Sequence, residues 1–276
     1  MCPKLEEKIC HAFIWIMAIL SFFVLAAIIG NLLSHGLPLL SLDFILQLPR
    51  NMGREGGILS SIIATLYLIA VSLVITVPIG IGSAIYLTEY KKKGKLLKVI
   101  RFTTESLAGI PSIIFGIFGF AFFVIFLGMG WSILSGGLTL ALMILPTMVR
   151  TAEEAMNSVS GSLKEGSLAL GATRWQTIVG VVVPSALPGI ITGIILSIGR
   201  AVGESAAVIL TAGSSLGVPK SLFDPGRSMS VHLYVLAAEG ISMEKAYATG
   251  TVLIILIILI NFAANYLTNR QRARTS

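Results

Sequence analysis

From Ala12 to Leu33 the chain is apolar almost without interruption, and comparable runs recur at about Ile58–Leu87, Leu107–Leu127, Trp131–Thr151, Leu187–Ala212 and Ala246–Leu267. A helix needs roughly 20 such residues to cross a hydrocarbon layer, so the pattern predicts six membrane-spanning helices. The second run is too long for a straight crossing and is interrupted by Pro78, Gly80 and Gly82. The third carries Pro111 near its start, where proline is tolerated, and the fourth has Pro146 inside. The opening run exceeds the roughly 7–15 apolar residues of a secretory signal and is expected to stay as the first span.

Composition agrees with an all-α integral membrane protein. Of 276 residues, 55% are hydrophobic and 12% charged, about half the charged share of a soluble domain. The net charge of +7 is then read as topology, because short cytoplasmic loops collect Lys and Arg, and not as nucleic-acid binding. With the N-terminus cytoplasmic, the inner loops hold Lys4, Lys8, Lys91, Lys92, Lys93, Lys95, Lys98, Arg101, Arg150, Lys164, Arg174, Arg270, Arg272 and Arg274. The outer loops hold only Arg50, Arg54, Lys220, Arg227 and Lys245. Both termini are expected in the cytoplasm.

The chemistry of an enzyme is missing. No G-x-x-x-x-G-K-[ST] loop is present to cradle ATP phosphates. His11, His35 and His232 are scattered, and Cys2 and Cys10 sit together at the N-terminus without metal-like partners, so no metal site, disulfide framework or cofactor is expected. "GESAA" at Gly203–Ala207 faintly suggests a nucleophile elbow around Ser205, but that turn needs a strand before it, and the flanks here read as apolar helix.

The break between the fourth and fifth runs is less ordinary. Ser162-Leu-Lys-Glu165 and Thr173-Arg-Trp-Gln176 are two capping boxes, and Gly171 between them suits a left-handed helix end. The first helix would be about two turns long, too short to be stable without a partner surface. Gly166, Ser167, Ala169 and Ala172 would let such a surface approach closely. A plain connecting helix fits this spacing equally well. The order Glu165, Gly171, Val181-Val-Val183-Pro184 resembles the coupling loop of ABC importer permeases, written E-A-A-x-x-x-G, nine residues, then I-x-L-P. Gly166-Ser167 replace the two alanines, and valines replace the Ile and Leu.

The resemblance extends to "GGILSSIIATLYLIAVSLVITVPIGIGSAIYLTEY", "LAGIPSIIFGIFG", "LTLALMILPTMVRTAEEA", "SALPGIITGIILSIGRAVGESAAVILTAG" and "FDPGRSMSVHLYVLAAEG", which are similar, in order, to the PstA-type permease subunit of phosphate importers. It implies a six-helix type I importer fold with a cytoplasmic coupling helix, in the cell membrane. Residues 1–57 would hold the N-terminal helix and first outer loop, 58–268 the importer transmembrane domain, and 269–276 a cytoplasmic tail. Implied partners are a sister permease, two copies of an ATPase seated on the Glu165–Ala172 loop, and an external phosphate-binding protein.

One charge is left inside the membrane. Arg200 falls near the middle of the fifth run, with Glu204 one helical turn later. Gly189, Gly193, Ser197, Arg200, Gly203, Glu204, Ala207 and Thr211 share a helical face, opposite an aliphatic one. Either the two charges form a packing salt bridge, or Arg200 meets the substrate anion and Glu204 balances it when the path is empty. The resemblance implies the path. A second stripe, Ser61, Thr65, Ser72, Thr76 and Ser83, reads as close helix packing. Rival readings are a permease for another oxyanion, such as molybdate or sulfate, and an ion-driven secondary transporter, which inverted repeats would favour and of which none is seen.

Overall fold

The computed structural model describes residues 3–90 and 94–275. Lys91–Lys93, expected in an inner loop, and Cys2 lie outside these. In chain order the helices are α1 (Pro3–Gly36), α2 (Leu42–Leu46), α3 (Leu59–Ile85), α4 (Lys95–Ala108), α5 (Ser112–Gly119), α6 (Ile133–Asn157), α7 (Gly161–Ala169), α8 (Arg174–Thr177), α9 (Val183–Gly203), α10 (Ala206–Thr211), α11 (Met229–Ala238) and α12 (Met243–Thr275). Wide π turns extend α3 over Tyr86–Tyr90 and α5 over Phe120–Phe126, and another joins α8 to α9 over Ile178–Val182. A two-residue hairpin, β1 (Pro49–Arg50) with β2 (Glu55–Gly56), precedes α3.

Five stretches are long and apolar enough to cross a membrane: Cys10–Leu39, Leu59–Tyr90, Ile133–Asn157, Arg174–Gly203 and Met243–Ala263. The third expected span is a bent pair, Lys98–Ala108 against Ser112–Phe126 at 101°. Pro111 sets the bend: it occupies the extended N-cap position of α5 (φ −57°, ψ 139°), a backbone that cannot continue α4. Counting that pair once restores six.

The fifth span differs from its reading at both ends. It does not begin after Pro184. The helix runs unbroken from Arg174 through the π turn into α9, and the wide turn, in which the Val183 N–H reaches back to the Ile178 carbonyl, lets Pro184 follow without ending the helix. Nor does it continue to Ala212. The helix stops at Gly203, Glu204 is extended (ψ 122°), and α10 starts afresh at Ala206.

The centre of the bundle is α3 against α6, with α6 against α9. The hydroxyl stripe of α3 serves this packing. Ser61, Thr65, Ser72 and Thr76 are all buried, and Thr76 Oγ1 donates across to the Ala141 carbonyl at 3.2 Å. On α9 a side chain at Gly189 would strike Ala155, and one at Gly193 would strike Thr151. The small face of α9 is thus a helix seam with α6, not an open wall, as far as Ser197, which is buried with its Oγ on the Gly193 carbonyl. By contrast, α1 presents Phe13, Trp15, Phe22 and Phe23 outward, each at least 60% exposed.

Gly193→Val should therefore push α9 off α6 and destabilise the fold by about 1–3 kcal/mol. Gly199→Val, which meets no atom within 4 Å, should be far milder. Thermal unfolding of both variants in detergent checks the contrast.

Candidate functional site

Two regions hold the residues singled out in the sequence. The first is the α7–α8 hairpin. Thr173 and Gln176 form the expected capping box: Thr173 Oγ1 accepts the Gln176 N–H at 3.3 Å, and Gln176 Oε1 accepts the Thr173 N–H at 2.8 Å. The Ser162–Glu165 box does not form. The helix begins two residues earlier, at Gly161, with Ser160 in the cap position and no side-chain cap, and the Ser160 and Ser162 hydroxyls bond to each other at 2.7 Å.

Gly171 takes the left-handed conformation, φ +89°. The Ala172 N–H reaches the Ser167 carbonyl at 3.3 Å and the Gly171 N–H reaches Leu168 at 3.0 Å. These two bonds define a Schellman end, which satisfies the last carbonyls of α7. Ser167 Oγ then bonds Thr177 Oγ1 at 3.0 Å, tying α7 to α8. So Ser167 faces inward and braces the hairpin, while Glu165, Gly166, Ala169 and Gly171 stay exposed and Ala172 is half-buried.

Sequence reasoning missed the hairpin's large apolar side chains. Leu163, Leu168, Leu170 and Trp175 are 45–91% exposed, with Leu170 the extreme. Four large apolar side chains left exposed on one short hairpin are disfavoured in water and are the mark of an interaction surface. Their identity was plain in the sequence, but their sidedness depended on where α7 starts, and the misplaced box hid it.

The second region is the break in span five. Arg200 lies in the last turn of α9, half-buried, and makes no ion pair or hydrogen bond among the described residues. Glu204 is not one turn further on the same helix. It sits in the break, where its Oε1 accepts the Ala207 N–H at 3.1 Å and caps α10. The expected Arg200–Glu204 salt bridge is thus absent among the described residues, because the helix that would align the pair ends between them. The shared face also ends at Gly203, leaving Ala207 and Thr211 buried on α10. A cavity of about 450 Å³ opens beside the break, lined by Gly203, Ser205, Ser230, Tyr234 and Leu253 among others. Ser205 follows the helix α9 and not the strand that its suspected role would need, and it makes no hydrogen bond to a histidine among the described residues.

Next to the break is a buried polar group that no sequence pattern announces. Ser230 Oγ donates to the Glu204 carbonyl at 2.6 Å and pairs with Ser228 Oγ at 2.9 Å, while Arg227 donates from Nε to the Ser214 carbonyl at 3.0 Å. His232, on α11 outside the spans, is 1% exposed and its Nδ1 has no partner. Burial lowers the His232 pKa to about 4, and the neighbouring Arg227 guanidinium acts in the same direction.

A multi-pass helical bundle with a braced, solvent-facing hairpin at one end of span five and a break at its other end is the architecture of a membrane transport subunit. The chain belongs to the family described as binding-protein-dependent transport system inner membrane component, whose model matches residues 76–275. It is 34% identical to a probable ABC transporter permease protein, YqgI, of Bacillus subtilis (strain 168), over 97% of this chain and 96% of that one. It is also 34% identical to the phosphate transport system permease protein PstA of Pasteurella multocida (strain Pm70), covering 95% and 94%. Among solved structures it resembles a bacterial alginate ABC transporter in complex with an alginate pentasaccharide-bound periplasmic protein (TM-score 0.71, 18% identity, 96% and 95% covered). It also resembles the inward-facing MetNI methionine ABC transporter (TM-score 0.63, 20% identity, 78% and 94% covered). The fold is that of type I ABC importer permeases.

The buried His232 has a measurable consequence. Below about pH 6.5 the unfolded chain protonates this imidazole, whereas the folded chain resists until about pH 4, so stability falls as the pH drops through that window. By pH 5 the loss from this residue alone should be about 2 kcal/mol. Between pH 7 and 5 the unfolding temperature in detergent should drop less for His232→Asn than for the parent protein; equal drops would place the acid sensitivity elsewhere.

Proposed function

We propose that this protein is a permease subunit of an ATP-driven importer of inorganic phosphate, and that it forms the translocation path together with a sister permease. The observation that carries the coupling half of this reading is the α7–α8 hairpin. It is capped at Thr173, closed by Gly171, braced by Ser167–Thr177 and apolar on its free surface. Such a hairpin moves as one body when a partner pushes it. The partner is an ATPase subunit, present in two copies, with Glu165, Gly166, Ala169, Gly171 and Ala172 against its groove. The chain's own lack of a phosphate-cradling loop makes that partner necessary.

The phosphate half is supported by relatives named as phosphate transport permeases, including those of Pasteurella multocida and, at 37% identity over 79% of this chain, Mycobacterium tuberculosis. These names favour phosphate over molybdate or sulfate. Arg200 supplies the matching chemistry. A guanidinium held within a membrane-embedded subunit, with no counter-charge among the described residues, is an anion site by default. Glu204 reaches it only if the break at Gly203–Ser205 straightens, which gives the pair a role that changes with conformation. Residues 58–268 form the transporting domain, and an external phosphate-binding protein delivers the anion to the α11 side.

The test is uptake by proteoliposomes carrying the complex, with phosphate-loaded binding protein outside. Arg200→Gln should keep assembly and basal ATP hydrolysis and lose phosphate uptake by roughly a hundredfold, the cost of removing one charge-assisted contact of about 3 kcal/mol. Normal uptake by this variant, or hydrolysis stimulated only by another oxyanion, would overturn the reading.

Orientation is checked separately. With Cys2 and Cys10 replaced by Ser, Gly94→Cys should be shielded from an impermeant thiol reagent in intact cells and Pro225→Cys should label. The reverse pattern would put the α7–α8 hairpin on the wrong side for an ATPase.

A further inference from the structure

The α7 helix has few ties to the bundle. It leans on α8 and the π turn that follows, and both belong to the same continuous helix as α9. Toward α3 there is mostly space: a cavity of about 400 Å³ lies between α7 and the end of α3, with Glu89, Tyr90, Gly161, Lys164, Leu168 and Arg174 in its walls. One contact bridges it. Lys164 Nζ donates to Glu89 Oε1 at 2.6 Å, with the two side chains 24% and 15% exposed. Among the described residues this is the one ion pair made by α7. It joins positions 75 residues apart in a setting far drier than an ordinary surface pair.

Glu89 lies in the π turn that ends the α3 rod. Leu59–Tyr90 is one unbroken helix of 32 residues, about 48 Å long at 1.5 Å per residue. Near its other end Thr65 Oγ1 accepts the Met229 N–H at 2.9 Å, and Met229 is the first residue of α11. The next residue, Ser230, donates to the Glu204 carbonyl at 2.6 Å. A chain of specific contacts therefore runs from Lys164 through Glu89, along α3, through Thr65 and α11, to the break in span five.

Resting on the reading of α7 as the ATPase coupling helix, we propose that the Glu89–Lys164 pair is a positioning latch. Through it α7 drives α3, and α3 carries that displacement across the membrane to the outer segment bonded at Glu204. The competing route runs only through the continuous α8–α9 helix, and it has no use for the pair. A rod so extensively packed on α6 is displaced as a unit, because a close-packed seam shifts between discrete arrangements rather than bending.

The experiment reads phosphate taken up per ATP hydrolysed in proteoliposomes of the full complex with phosphate-loaded binding protein. Glu89→Lys and Lys164→Glu should each lower that ratio about tenfold, a typical coupling term between sites. Lys164→Arg, which keeps the charge, should leave it near normal. The swap of Glu89→Lys with Lys164→Glu should recover most of it. If either single variant fails to assemble, the swap must recover assembly and ratio together. An unchanged ratio in the single variants, or a swap no better than they are, overturns the latch while leaving the importer reading intact. A parent complex that retains no ATPase overturns both, before any variant is compared.

Discussion

Everything in this protein hangs on how closely three helices approach one another. In lipid there is little hydrophobic gain in bringing one helix to another, since the acyl chains are as apolar as the side chains they replace. What remains is contact at short range, together with hydroxyl-to-carbonyl bonds. The α3–α6–α9 seam uses both: Ser61, Thr65, Ser72 and Thr76 on α3, Thr151 on α6, and Gly189, Gly193 and Ser197 on α9. Small side chains let the backbones meet, and the hydroxyls of Thr65, Ser72, Thr151 and Ser197 bond to carbonyls of their own helix, that of Thr76 bonds across the seam, and that of Ser61 is buried without a partner. Thr65 of the same α3 face also takes the Met229 N–H, which seats α11 on α3 beside the break that holds Glu204.

The same seam explains what could be read from sequence and what could not. Spans are set by length and apolarity, both local properties, so the six runs were legible, as was the packing role of the α3 hydroxyl stripe. The Thr173–Gln176 box and the left-handed Gly171 were legible for the same reason: each is decided within four or five residues. The small face of α9 was grouped correctly as far as Ser197, but its purpose was not legible, because glycine against a neighbouring helix and glycine against a water-filled path look alike in one dimension.

The misses share a cause. The Ser162–Glu165 box gives way to a start at Gly161, where the Ser162 hydroxyl pairs with that of Ser160 instead of capping the helix. The break at Glu204 has no proline to announce it. It exists because Glu204 Oε1 caps α10 and the Glu204 carbonyl takes the Ser230 hydroxyl, and Ser230 is 26 residues away in the chain. Pro184 errs in the opposite sense: proline signals a stop, yet here it directly follows a widened π turn, where the backbone ladder is already shifted, and the helix continues through it. Arg227 and His232 gave no local signal, since burial of a lone polar residue is a property of the assembled fold.

The bend at Pro111 leaves α5 and its π extension with only Ser112–Phe126 for its crossing. Fifteen residues rise about 22 Å, against a hydrocarbon thickness of about 30 Å. Where lipid chains meet this element they would stand short of full height, and the bilayer would thin toward it. Dimpling costs fractions of a kcal/mol per ångström, and it would be felt along the flank that carries exposed Ile117, Phe118, Ile125 and Phe126. Membrane thickness then becomes a variable to which this one element is tuned: thin bilayers should suit it, and thick, sterol-like ones should strain it.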